Sequence, residues 1–252
     1  DETFFNNISW IGKATITKID KTLKVTKKKY WELKRDKIVE KFSLEEHVNN
    51  TKKLLIDAID LRLVSDVPIS LNLSGGIDSG AICSIASKIF GKKLETFSII
   101  DLDDRYDESD LIKETAKDCG VKTNLIKLSK RIDFFDILKK SNEYNNYPIL
   151  TITDLIHNHL SYHVKKRGFK VSLSGSGADE IYGGYYDHYL MVLKELKDND
   201  PNKFREYLKI WKQNIKPNLR NKFFKKYNLF FKNPYFREYV FDNFDNNKKY
   251  CL

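Results

Sequence analysis

Only three cysteines occur among the 252 residues, Cys83, Cys119 and Cys251, and no two of them form a CxxC pair. That spacing argues against a zinc site and structural disulfides, and a reducing, cytoplasmic setting is expected. No apolar run approaches the length that crosses a bilayer, and residues 1 to 10 hold no basic stretch leading into an apolar one. Neither a membrane partner nor a secretory signal is therefore expected. Two nucleotide signatures are missing as well: the Walker lysine pattern and the spaced glycines of dinucleotide folds. What remains is a mixed composition with a formal net charge of +10, which fits one large globular domain or one domain with appendages.

What is present is a loop. In "LNLSGGIDSG", residues 71 to 80, an apolar stretch ("VPISLNL") runs into serine and two glycines, and the following "AICSIASKIF" has helical spacing. The order is strand, tight loop, helix. A helix start leaves backbone N–H groups without partners and carries partial positive charge, so such a loop attracts anions. Gly75 and Gly76 are expected to turn with positive φ and to admit a ligand where a Cβ would block it, with Ser74 and Ser79 as hydroxyl donors. Asp78 would repel a phosphate unless a cation lay between them, which points to Mg²⁺ and a nucleotide polyphosphate. An ordinary N-capped turn is the plainer reading of a lone Ser-Gly-Gly, but the full string favours the phosphate site.

A second string, "VSLSGSGADEIYGGY" at residues 171 to 185, follows the same pattern: an apolar strand, a glycine-serine loop, then Asp179 and Glu180. Between the two strings, "LETFSII" (94 to 100) and "KTNLIKL" (122 to 128) read as strands. "DESDLIKETAKDCG" (107 to 120) and "TITDLIHNHLSYHVKKRG" (151 to 168) read as helices ended by glycine. This βαβα series predicts an α/β fold with a mostly parallel sheet covered by helices. Ligands of such sheets lie beyond the carboxyl ends of the strands, so both loops are expected to face one nucleotide.

"SGGIDSG" resembles the pyrophosphate-binding loop of the PP-loop ATP pyrophosphatases. "SDVPISLNLSGGIDSG" together with the second string resembles, more narrowly, the synthetase domain of asparagine synthetases over residues 1 to about 190. The resemblance implies an AMP-forming ligase that uses ATP and Mg²⁺ to activate a carboxylate as an acyl-adenylate for attack by ammonia. It implies that Ser74, Gly75, Gly76 and Ser79 bind pyrophosphate and that Asp78 and Asp179 act in catalysis by holding Mg²⁺. Leu73, Ser98, Ile99, Ser174 and Gly175 would contact the adenylate; "TFSI" and "YDES" are similar to further family segments. Ser176 stands where asparagine synthetases carry a glutamate that helps to deprotonate or position ammonia. A serine hydroxyl is not a base near neutral pH without help, so the catalytic position is kept while its chemistry differs. Gly80, where relatives often have serine, is a smaller departure.

The ends divide the chain further. "ATITKIDKTLKVTKKKYWEL" alternates apolar and polar residues around an Asp-Lys turn, a hairpin signal. By resemblance, residues 1 to 42 close a glutaminase-like domain that would supply ammonia and is itself absent from this fragment. Residues 43 to 190 form the synthetase domain, in which Ser43 and Glu46 predict a capping box for a helix carrying Val48, Leu55 and Ile59 on one face. Residues 191 to 252 form a basic, aromatic-rich helical extension. Residues 203 to 249 alone carry thirteen Lys and Arg against four Asp and Glu. Interleaved aromatics and lysines can mark a nucleic-acid surface, the reading of an RNA-modifying PP-loop enzyme. An amphipathic region with packed aromatics and solvated lysines is preferred, so nucleic acid is not the expected partner. A homodimer is admitted, and a non-catalytic nucleotide-binding scaffold is the third reading.

Overall fold

The structure, a computed structural model, describes residues 3–34, 41–128, 133–149, 151–219 and 222–232. Part of the expected connector, the end of the aromatic-basic extension and Cys251 lie outside the described residues. The chain divides into two compact units, residues 1–174 and 175–252.

The first unit opens with the hairpin that the alternation predicted, β1 (Thr15–Ile19) paired antiparallel with β2 (Val25–Lys29). Asp20 closes its turn by accepting the amides of Thr22 and Lys24 at 2.8 and 3.0 Å. Helix α1 (Leu44–Arg62) begins with the expected capping box: Ser43 Oγ accepts the Glu46 N–H at 3.3 Å, and Glu46 Oε2 accepts the Ser43 N–H at 2.7 Å. Ile59 is buried and Leu55 packs beside it, but Val48 is 57% exposed, against expectation. The core contacts of α1 begin at Leu55, so its first turns stand clear of the sheet.

The main sheet follows from strand-loop-helix repeats. In chain order these are β3 (Ile69–Asn72), α2 (Ile77–Ser84), which widens into a π turn at Ile85–Ile89, and β4 (Glu95–Ile100). Next come α3 (Ser109–Cys119), β5 (Lys122–Lys127), α4 (Phe134–Asn145), α5 (Ile152–Lys166) and β6 (Val171–Leu173). Helix α3 ends at Gly120 with φ 63°, the left-handed cap that glycine supplies without steric cost. The four strands are all parallel, in the order β5-β4-β3-β6.

Strand alternation sorts the side chains into two layers. Leu71, Leu73 and Ile100 point into a core with Ile59, Cys83, Ala86 and Ile112, beneath α1, α2 and α3. Phe97 and Ile99 point the other way, towards Leu160 and Val164 of α5, and the Phe97 ring meets Phe169 edge-on at 5.7 Å. Leu71 and Phe97 are 0 and 1% exposed; burial of side chains of this size contributes roughly 1.5 to 3 kcal/mol each.

The second unit is helical: α6 (Ala178–Tyr182), α7 (Tyr186–Asn199), α8 (Pro201–Ile210) and α9 (Tyr227–Lys232). Asp200 caps α8 by accepting the Lys203 amide at 3.1 Å, with Pro201 at the first helical position. Its core gathers Leu190, Leu193, Trp211, Leu219, Phe230 and Phe231. Among the described residues, Trp211, Phe230 and Phe231 are buried and Phe204, Phe224 and Tyr227 pack against them, while Tyr207 and Phe223 are exposed. Among the described residues, no helix is long and apolar enough to cross a membrane.

Candidate functional site

The sheet order places the change of winding direction at β3: β4 and β5 lie on one side of it and β6 on the other. The crevice beyond the carboxyl ends of such a strand pair is where open α/β sheets bind ligands. Ile69 pairs with Val171 and Leu71 with Leu173 in parallel register, so the chain leaves β3 at Leu73 and β6 at Ser174 from the same end of the sheet. Side chains reinforce the pair, with Ser70 Oγ donating to the Val171 carbonyl at 3.1 Å and Ser172 Oγ to Asn72 Oδ1 at 2.8 Å.

The loop after β3 is held by its two serines. The Ser74 N–H donates to Ser79 Oγ at 3.0 Å, the two hydroxyls lie 2.9 Å apart, and the Gly76 N–H donates to Ser74 Oγ at 3.2 Å. Ser79 is buried, whereas Ser74 and Gly76 are exposed. Gly76 is the residue before α2 and has no side chain to cap it. The amides that open the helix therefore lack the usual side-chain acceptor.

The expected reason for the glycines needs correcting. Gly76 has φ −79° and ψ 156°, and Gly75 is also outside the positive-φ residues. Gly75 is required by close approach to α3 instead: a Cβ there would lie 2.9 Å from the Glu108 Cβ and 3.1 Å from the Leu111 Cβ. Its N–H donates to Glu108 Oε2 at 2.9 Å. Glu108 and Leu111 lie against the loop and were not among the residues expected there. The one available signal was "YDES", two consecutive acidic residues at a helix start, of which Glu108 makes no cap bond to the helix.

Asp78 is half-buried in the first turn of α2. Leu73 and Ser98 are 2% and 1% exposed, so their side chains belong to the core and any ligand contact they make runs through the main chain. The Ser98 hydroxyl has no hydrogen-bond partner among the described residues. On β4 the Phe97 carbonyl accepts the Leu73 N–H at 2.9 Å. Two residues on, the main chain of Ile99 faces the same way, past the end of β3. Ser174 is exposed at the end of β6.

Gly175, Ser176 and Asp179 belong to the second unit. Gly175 and Asp179 are half-buried and Ser176 is exposed. Gly177 turns with φ 95° into α6, and Gly183 leaves it with φ 76°. The Asp179 carbonyl accepts the amides of both Gly183 and Gly184 at 3.0 Å. A Cβ on Gly184 would stand 2.7 Å from the Asp179 carboxyl carbon, so that glycine makes room for the carboxylate. Tyr185 Oη donates to Glu180 Oε1 at 2.8 Å, and that bond holds the Glu180 carboxyl below the usual range.

Among the described residues no group of three His, Cys, Asp or Glu side chains could hold a metal by itself. A donor set of one or two carboxylates suits Mg²⁺, which commonly takes its other ligands from substrate phosphates and water.

Residues 50–242 match the family model described as asparagine synthase. The chain is 33% identical over 171 residues to asparagine synthetase [glutamine-hydrolyzing] 3 of Bacillus subtilis, covering 62% of this chain and 27% of that protein. It is 34% identical over 138 residues to asparagine synthetase [glutamine-hydrolyzing] 1 of the same organism, covering 55% of this chain and 21% of that protein. Amidase chyE of Penicillium rubens is 30% identical over 174 residues, covering 63% and 26%. The chain thus spans less than a third of the length of these relatives. The strand-loop-helix geometry and the match over most of its length agree: this chain belongs to the asparagine synthase family.

Proposed function

We propose that this chain is the synthetase part of an ATP-dependent, AMP-forming amidotransferase. The observation that carries the reading is the loop Ser74–Ser79, which opens α2 at the point where the sheet reverses its winding. In this reading the β- and γ-phosphates of ATP lie on the loop and the uncapped amides of α2, and the adenylate half lies along Leu73, Ser98, Ile99, Ser174 and Gly175. The outward main chain of Ile99 supports an adenine contact made by backbone groups.

A carboxylate oxygen of the acid attacks the α-phosphorus, and the bond from that phosphorus to the oxygen bridging to the β-phosphorus breaks. Pyrophosphate leaves on the loop with the bonding electrons. Ammonia then attacks the acyl carbon, AMP leaves, and the spare proton passes to solvent. Positioning, and stabilisation of the charge that builds on pyrophosphate, supply the catalysis. Asp78 would hold Mg²⁺, whose positive charge offsets the negative charge of the departing phosphates; by the family resemblance, Asp179 of the second unit would be a further ligand. Ser176 lines the ammonia side as a hydrogen-bonding group, leaving ammonia to arrive as the free base.

The names of the Bacillus subtilis relatives support ammonia drawn from glutamine by a glutaminase domain, of which residues 1–42 would be the end. Aspartate is the first acid to test. The test is isotopic. With ¹⁸O in the carboxylate of the acid, adenylation places one ¹⁸O in the AMP released; AMP without label, or ADP as product, would refute the reading.

A further inference from the structure

The Gly75 amide is occupied by an anion of the protein's own. A side-chain acceptor at the start of helix α3 comes from Asp107: Oδ1 accepts the Ser109 N–H at 2.8 Å, which holds the Asp107 carboxyl below its ordinary range. Glu108, the next residue, makes no capping bond to α3. Its side chain instead crosses to the loop and accepts the Gly75 N–H at 2.9 Å, between residues 33 apart in sequence. The other two loop amides, of Ser74 and Gly76, donate to serine hydroxyls. A hydroxyl can rotate and offer its own proton to an arriving phosphate, whereas a carboxylate has none to offer and repels it. Glu108 is exposed, so swinging it into water costs little desolvation.

We infer that Glu108 is a positioning residue that holds the Gly75 amide in place of phosphate and gives it up when polyphosphate binds. This rests on the pyrophosphate reading of the loop and adds what that reading omits, an internal competitor that keeps the loop shaped while empty and weakens its hold on pyrophosphate. The contact of Gly75 with Glu108 and Leu111 fixes the distance, so the exchange involves side-chain rotation rather than movement of the loop.

The test titrates inorganic pyrophosphate with Mg²⁺ into the wild type, Glu108→Gln and Glu108→Ala, with thermal melts confirming that all three are folded. Loss of the competing charge predicts binding about 3- to 30-fold tighter in both variants. Selective ¹⁵N-glycine spectra give a second readout. Glu108→Gln shifts the Gly75 amide resonance in the free protein, but wild type and variant converge once pyrophosphate is saturating. Unchanged or weaker binding in Glu108→Gln, or a Gly75 resonance still sensitive to residue 108 at saturation, overturns the exchange while the pyrophosphate site stands. If neither the wild type nor the variants bind pyrophosphate, both the site and the exchange fall.

Discussion

Asp179 and Gly184 are packed together: a Cβ at Gly184 would stand 2.7 Å from the Asp179 carboxyl carbon and 3.2 Å from its Cα. The first of these contacts could be relieved by rotating a side chain, but the second is to backbone. The glycine therefore lets the chain leaving α6 pass close to the Asp179 backbone while the carboxylate keeps its present rotamer.

Gly184→Ala should cost about 1 to 3 kcal/mol, the range for forcing extra volume into a packed site. Because a displacement of about 1 Å at a reacting centre can cost ~10²-fold in rate, turnover should fall further than the loss of folded protein explains. Thermal melts and steady-state rates on one preparation separate the two effects. Equal rates per folded molecule would show that the position of Asp179 does not matter.

The two loop glycines should differ. Gly75→Ala meets Glu108 and Leu111 at 2.9 and 3.1 Å and should lose about 1 to 3 kcal/mol. Gly76→Ala meets only Ser74 Oγ, at 3.2 Å, in backbone geometry open to any residue. Its cost should be under about 1 kcal/mol, that of a poorer N-cap. Chemical denaturation of the two variants checks the order, and a larger loss at Gly76 would contradict it.

The strands and loops that frame the site were legible because alternation and glycine placement are local signals. "LETFSII" and "KTNLIKL" became β4 and β5, and Gly120 became the left-handed end of α3, with boundaries moved by at most a residue or two. The partner of Gly75 was not legible, because a carboxylate 33 residues away leaves no periodic trace. The expectation of positive φ failed for the same reason: glycine there answers to a neighbouring helix rather than to its own backbone. Val48 matched the helical period, but a period cannot say where the sheet beneath a helix stops.

Glu95 joins β4 to its neighbours and carries a pH dependence. Burial raises its carboxyl, but Asn124, Arg167 and Lys122 outweigh that, and the net shift is downward. Arg167 donates to Glu95 at 2.9 Å, and the Lys122 ammonium lies at 3.4 Å. A depressed carboxyl stabilises the fold fully above its unfolded value of about 4.3 and loses that contribution as pH falls through the folded value. Melting curves of wild type and Glu95→Gln should therefore differ near neutral pH and approach each other below about pH 4. A gap that widened on acidification would reverse the sign.

Cys83 should be chemically silent. Burial, and next to it Cys119, push its thiol up to about 12. At pH 8 the thiolate is then about one part in 10⁴ of the population. Maleimide labelling read by peptide mass should leave Cys83 unmodified until the protein is unfolded. Rapid labelling in the native state would mean that the core beneath α2 is open.

The most direct test of the central claim, adenylation of a carboxylate at the Ser74–Ser79 loop, is the exchange of labelled pyrophosphate into ATP. It should be measured on the natural full-length protein with Mg²⁺, first with L-aspartate and then with a panel of carboxylic acids. Exchange that requires one of the acids, and that falls by about 10² or more in Asp78→Asn, is the predicted result. Binding of ATP with no acid-dependent exchange, or exchange undiminished in Asp78→Asn, would contradict the account.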